Sequence, residues 1–95
     1  MNHIVLHVTY TCKPGTAETF VRTVKELGIQ QQVRDEDGCL QYDYHISCEK
    51  PDTVVLLEQW RDEAALRAHT SGSAIQAVGA VKEKYVLHAD ILRFQ

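Results

Sequence analysis

The chain is poor in residues that break or cross-link a fold, with two prolines, five glycines and three cysteines in 95 residues. Cys12, Cys39 and Cys48 include no C-x-x-C pair. An odd count at such spacings fits neither a disulfide framework nor a zinc knuckle, and the expected compartment is a reducing cytoplasm. No apolar run approaches the ~20 residues of a membrane span. The opening Met1-Asn2-His3-Ile4-Val5-Leu6-His7 has neither a charged leader nor a long apolar stretch, so no signal peptide is expected. Basic residues are not in excess: 10 Lys+Arg face 13 Asp+Glu, for a net charge of -3. They are also scattered, which argues against binding a phosphate backbone. Neither nucleic acid nor a membrane is an expected partner. The chain also lacks a Gly-rich dinucleotide turn, a P-loop and a haem-attachment C-x-x-C-H, so the sequence calls for no cofactor.

What remains is an ordinary globular composition, 44% hydrophobic and 24% charged. The length suits one small domain over residues 1–95, with a single sheet layered by helices. Ile4, Leu6, Val8 and Tyr10 alternate with His3, Val5, His7 and Thr9, the pattern of a strand. Lys13-Pro14-Gly15 ends it. Thr16 is placed to cap an amphipathic helix on Phe20, Val24 and Leu27 that ends near Val33, with Gly28 a mild weakness inside it. Asp35-Glu36-Asp37-Gly38 reads as an acidic turn. Cys39–Ser47 alternates as a second strand, and Val54–Trp60 follows as a third after a short turn, so the two form an antiparallel hairpin. Asp62 is an N-cap for a helix running to His69. A further helix spans Ala74 to about Lys84, and Val86–Phe94 closes the chain as a strand. The order is βαββαβ, which predicts a ferredoxin-like α+β fold: a four-stranded antiparallel sheet with helices on one face.

Strands three and four are apolar on both faces, as in Val54-Val55-Leu56-Leu57 and Leu87-His88-Ala89-Asp90-Ile91-Leu92. Helices cover one face only. The other predicts a homodimer packed sheet to sheet, because large bare apolar patches are rare on monomers.

Three stretches carry a family resemblance. They are Lys13-Pro14-Gly15-Thr16-Ala17-Glu18-Thr19-Phe20, the run from Arg34 through Glu36, Gly38, Cys39 and Tyr42 to His45, and Leu57-Glu58-Gln59-Trp60 with the helix ending in His69. In this order they resemble the antibiotic biosynthesis monooxygenase-like (ABM) family of dimeric α+β barrels, which includes small quinol monooxygenases. The resemblance implies a pocket between sheet and helices for a flat aromatic or quinol-like ligand, and cofactor-free oxygenase chemistry. Relatives also include an isomerase of a phosphorylated autoinducer and haem-degrading enzymes, so a reaction does not follow from the fold. Many members carry a second His five residues after the position of His69, where this chain has Ala74. The haem-degrading branch uses an Asn on strand one, where this chain has Leu6-His7-Val8.

Several side chains are candidates for chemistry. Glu58 and Trp60 share a strand face. A hairpin centred near Lys50 pairs residues whose numbers sum to about 100, placing Tyr42 opposite Glu58 and Tyr44 opposite Leu56. A one-residue slip would put Asp43 and His45 on that face instead. His69 or His45 is the candidate base, since imidazole is a natural base near neutral pH. Glu58 is a third catalytic candidate, orienting or polarising the base, and Tyr42 also orients. Trp60, Tyr42 and Tyr44 are the expected substrate-binding residues, with Trp60 the stacking wall. His7 and His88, expected on outer strands one and four, have no third ligand at a fixed spacing, so no metal site is expected.

The expected function is a cofactor-independent monooxygenase of a small phenol or quinol. An isomerase of an enolisable sugar phosphate is an alternative, with Arg34, Arg61 and Arg67 as its only candidate phosphate ligands. A non-catalytic dimer binding a small hydrophobic ligand is another, and Ala74, read as removing a polar group from the pocket, favours it.

Overall fold

A computed structural model describes residues 3–95. Residues 1 and 2, which open the stretch expected to lack a signal peptide, lie outside them. The chain runs β1 (Ile4–Cys12), α1 (Ala17–Glu26), α2 (Ile29–Arg34), β2 (Cys39–Ile46), β3 (Thr53–Trp60), α3 (Glu63–Thr70), α4 (Ser73–Tyr85) and β4 (Val86–Phe94). The strands form one antiparallel sheet in the order β2-β3-β1-β4. This is the expected ferredoxin-like arrangement. Strand one is an inner strand rather than an outer one, and His7 stands between Leu57 and Leu92. Among the described residues no helix is long and apolar enough to cross a membrane.

The helix expected to run unbroken to Val33 is two helices. Gly28 takes a φ of 75°, which a right-handed helix cannot continue through. Its N–H donates to the Lys25 carbonyl, closing α1, and its own carbonyl accepts from Gln32, opening α2. The break lets Phe20 and Val24 of α1 and Ile29 and Val33 of α2 all reach the core. Thr16 does not cap α1 with its side chain; its hydroxyl donates to the Lys13 carbonyl at 2.7 Å. Asp62 does cap α3, accepting the Ala65 N–H at 2.9 Å.

Burial follows the alternation of the strands. Ile4, Val8 and Tyr10 of β1 and Val54, Leu56, Glu58 and Trp60 of β3 are buried on one side of the sheet. Val5, His7, Val55 and Leu57 on the other side are only half-buried. The edge strand β4 is covered on neither side. Ile91, which pairs with Val8, is 63% exposed, and Leu92, which pairs with His7, is 57% exposed.

Gly38 fixes the approach of the acidic turn to α3. Its φ is 85°, and a Cβ there would stand 2.4 Å from the Ala65 Cβ. The Gly38 carbonyl also accepts the Arg61 N–H at 2.8 Å. Without a side chain the turn lies flat on the helix, and this carries Glu36 inward. Gly38→Ala is expected to lower unfolding free energy by about 2 kcal/mol or more, from left-handed strain plus overpacking, read as a lower urea midpoint. An unchanged midpoint would mean the turn is free to move off α3.

Candidate functional site

The β2–β3 register is the one expected, with Tyr42 opposite Glu58 and Tyr44 opposite Leu56. The slipped alternative does not occur. His45 pairs with Val55, points to the face away from the helices and is exposed. It therefore stands apart from His69, across the sheet, because strand side chains alternate.

Glu58, Trp60 and His69 converge. The Trp60 indole N–H donates to Glu58 Oε1 at 3.0 Å. The His69 ring stacks on Trp60, with centroids 4.5 Å apart and planes 26° apart. His69 Nε2 lies 4.0 Å from Glu58 Oε1, too far for a direct hydrogen bond. His69 Nδ1 lies 2.7 Å from Glu36 Oε1. A carboxylate only accepts, so Nδ1 carries the hydrogen, and in the neutral ring the lone pair is on Nε2. His69 is only 4% exposed. Asp62 starts α3 directly after β3, and two helical turns later the imidazole lies back over Trp60.

Two recesses meet at His69. On the sheet side is a cavity of about 140 Å³ with apolar walls from Leu6, Val8, Leu66, Ile75 and Ile91. Tyr10, Glu58, His69 and Lys82 give it polar character. On the outer side is an open groove of about 380 Å³ that includes Glu36, Asp37, Arg61 and Ser73. Among the described residues His69 is the side chain common to both linings.

The expected substrate-binding residues back this cavity rather than line it. Trp60 is fully buried and its ring face is taken by His69. Tyr42 is buried edge-on to His69, with its hydroxyl 3.3 Å from that of Tyr44. Tyr44 packs edge-on against Phe20. Ala74 is in the core, and its neighbour Ile75 reaches the cavity instead. Arg34 pairs with Asp43, and Arg61 with Asp37 and Asp62. Arg67 is exposed, and none of these three arginines lines the cavity. Among the described residues no group of three His, Cys, Asp or Glu side chains is placed to hold a metal.

Sequence reasoning passed over Glu36, Tyr10 and Lys82. Each comes from an element distant in the chain from β3 and α3. The one available signal was Glu36 inside the motif that also carries Gly38 and Cys39.

Burial sets the electrostatics. It pushes the Glu58 carboxyl above its ordinary range, opposed by the Trp60 hydrogen bond and the charges of His69 and Lys82, and reinforced by Glu36. Tyr10 and Tyr42 are likewise pushed up by burial, and Tyr44 rises to about 12. These phenols stay neutral, and those of Tyr42 and Tyr44 hydrogen-bond each other. The Cys39 thiol is also pushed up by burial, to about 11, so it is no ready nucleophile.

Residues 3–81 match the family model for antibiotic biosynthesis monooxygenases. The chain belongs to the antibiotic biosynthesis monooxygenase family. It is 36% identical over 92 residues to the Bacillus subtilis protein "Putative monooxygenase YcnE", covering 95% of this chain and 94% of that one. Among solved structures, PA3566 from Pseudomonas aeruginosa superposes with a TM-score of 0.85 at 30% identity, over 99% of this chain and 93% of its own. SO0527 from Shewanella oneidensis gives 0.85 at 25% identity, over 97% and 88%. In this family member the sheet and helices enclose a buried carboxyl, an indole and an imidazole in mutual contact.

The raised Glu58 value makes stability pH-dependent. The folded state holds this proton to higher pH than the unfolded chain does, so the contribution is complete below the ordinary 4.5 and is lost as pH rises through the folded value. Glu58→Gln keeps an acceptor for the indole and cannot ionise. It is expected to lose less stability than wild type as pH rises above 4.5, followed by urea unfolding at several pH values. Parallel pH profiles for the two proteins would remove Glu58 as the source.

Proposed function

We propose that the protein is a cofactor-independent monooxygenase of a small phenol or quinol, acting as a homodimer. A buried imidazole carries this reading: Glu36 holds its Nδ1–H, and its free Nε2 is turned toward a cavity with mainly apolar walls. Family membership and the name of the B. subtilis relative support it.

His69 Nε2 takes the phenolic proton, and the electron-rich phenolate gives an electron to O₂. The resulting pair joins at a ring carbon bearing hydrogen, forming a C–O bond. His69 returns its proton to the outer peroxide oxygen. The O–O bond then breaks, that oxygen leaves as water with the ring-carbon hydrogen, and the carbon becomes a carbonyl. One phenol and one O₂ give one quinone and one water. Glu36 fixes the base's tautomer, as a carboxylate does for a histidine base elsewhere. Glu58, with its oxygen held by the Trp60 indole, hydrogen-bonds the reacting oxygen.

His69→Gln is expected to lower kcat for hydroquinones by about 10²-fold or more. Glu36→Gln should lower it about tenfold with little change in KM, because it disturbs tautomer and aim rather than binding. Oxygen uptake and quinone absorbance measure both. Wild-type protein that consumes no oxygen with any of a hydroquinone panel would overturn the proposed activity.

The dimer rests on the open sheet face, where Leu92 and Phe94 are exposed beside half-buried Val55 and Leu57. Leu57→Lys is expected to move the light-scattering mass from about twice 10.8 kDa to 10.8 kDa. Wild-type protein already at 10.8 kDa at micromolar concentration would exclude the dimer.

A further inference from the structure

Among the described residues, Lys82 is the lysine or arginine that lines the inner cavity. It is half-buried, and its Nζ stands 5.5 Å from the centre of the Tyr10 ring. Among the described residues no carboxylate lies within ion-pair distance of it. Lys82 follows Ile75 by seven residues, two turns along α4, so both project from the same side of that helix into the cavity. Within the protein the ammonium is met by the face of the Tyr10 ring and, through space, by the Glu58 carboxyl.

Sheet register sets its distance from the base. Glu58 is paired with Leu6 on β1, and Tyr10, under Lys82, is four residues further along the same strand. Four residues of strand put about 13 Å between the two backbone positions, while the Lys82 ammonium still acts through space on the Glu58 carboxyl. The cavity therefore has the Glu58–His69 pair toward one end and the ammonium toward the other. Its 140 Å³ is close to the cavity of about 150 Å³ known to take benzene. One aromatic ring with a hydroxyl at one end and an acidic group at the other, each with a hydrogen bond of about 2.8 Å, spans a length of that order.

We propose that Lys82 is a specificity residue that anchors a carboxylate, and that the substrate class is a single-ring phenol bearing that group on the side remote from the hydroxyl. The proposal deepens the monooxygenase reading by naming the substrate class, and it rests on that reading only for the fate of the ligand once bound. In the bound state the carboxylate accepts from the Lys82 ammonium, the ring lies between Val8 and Ile75, and the phenolic hydroxyl meets His69 Nε2.

The test is binding without turnover. 4-Hydroxybenzoate and its methyl ester are titrated into the anaerobic protein, with Trp60 fluorescence and calorimetry as readouts. Wild type is expected to bind the acid about tenfold or more tightly than the ester, the worth of one charge-assisted hydrogen bond. Lys82→Met should erase that preference and leave the ester within about twofold of wild type, while Lys82→Arg should keep part of it. Equal binding of acid and ester by wild type overturns the proposal, as does binding of neither. So does an acid preference that survives in Lys82→Met. The wild-type comparison needs no variant, so a misfolded substitution does not decide the outcome. Admitting air afterwards separates the two ideas. Lysine-dependent binding without oxygen uptake would sink the monooxygenase activity and keep the anchor. Oxidation of acid and ester with equal KM would sink the anchor and keep the activity.

Discussion

The bond between His69 Nδ1 and Glu36 ties together three parts of the chain that share no local sequence. Glu36 belongs to the turn after α2, His69 to the last turn of α3, and the indole on which the imidazole stacks to the end of β3. Each contact depends on the others. Gly38 lets the turn lie against Ala65, which brings Glu36 within 2.7 Å of the ring. The Asp62 cap starts α3 at once after β3, so the ring returns over Trp60. A charged partner at one nitrogen and an aromatic face beneath leave the imidazole a single orientation. A catalytic base needs that kind of restraint, since a loosely held ring loses rate steeply.

The carboxyl of Glu58 faces the opposite problem. It sits in an apolar layer, where ionisation is costly. One indole N–H satisfies one oxygen, and the positive groups nearest it act through space. Two carboxyl groups therefore flank one imidazole in unlike settings. Glu36 opens on a groove with Asp37 and Arg61, whereas Glu58 lies in the interior. Unlike settings for like groups allow unlike roles, one holding a proton donor and one meeting a ligand.

Much of this was legible in the sequence, and the gaps have physical causes. Alternation gave the strands, and a short turn fixed the β2–β3 register, so Tyr42 opposite Glu58 followed from counting. Alternation plus an N-cap also sufficed to bring Glu58, Trp60 and His69 together. His45 fell on the other face because its parity is opposite to that of Tyr42 and Tyr44. The long helix was misread because a left-handed glycine ends α1, and helix propensity treats Gly28 as merely weak. Glu36, Tyr10 and Lys82 were missed because their approach to the site is set by how α2, β1 and α4 pack. No short-range periodicity encodes that. Trp60 was read as a wall open to ligand because a strand pattern shows which face a ring is on, but not what covers it.

The shared lining of the two recesses makes the protein one side chain thick at His69. On one side is a small, mainly apolar chamber and on the other an open groove. The imidazole is thus a plug as well as a functional group. Shortening it to a methyl group would join the two spaces, opening a further path for water beside Glu58 and easing the desolvation that holds its carboxyl up. Any loss of chemistry in such a variant would mix a missing base with a flooded chamber. Only side chains that fill the same volume keep the wall intact and isolate what the ring nitrogen itself contributes.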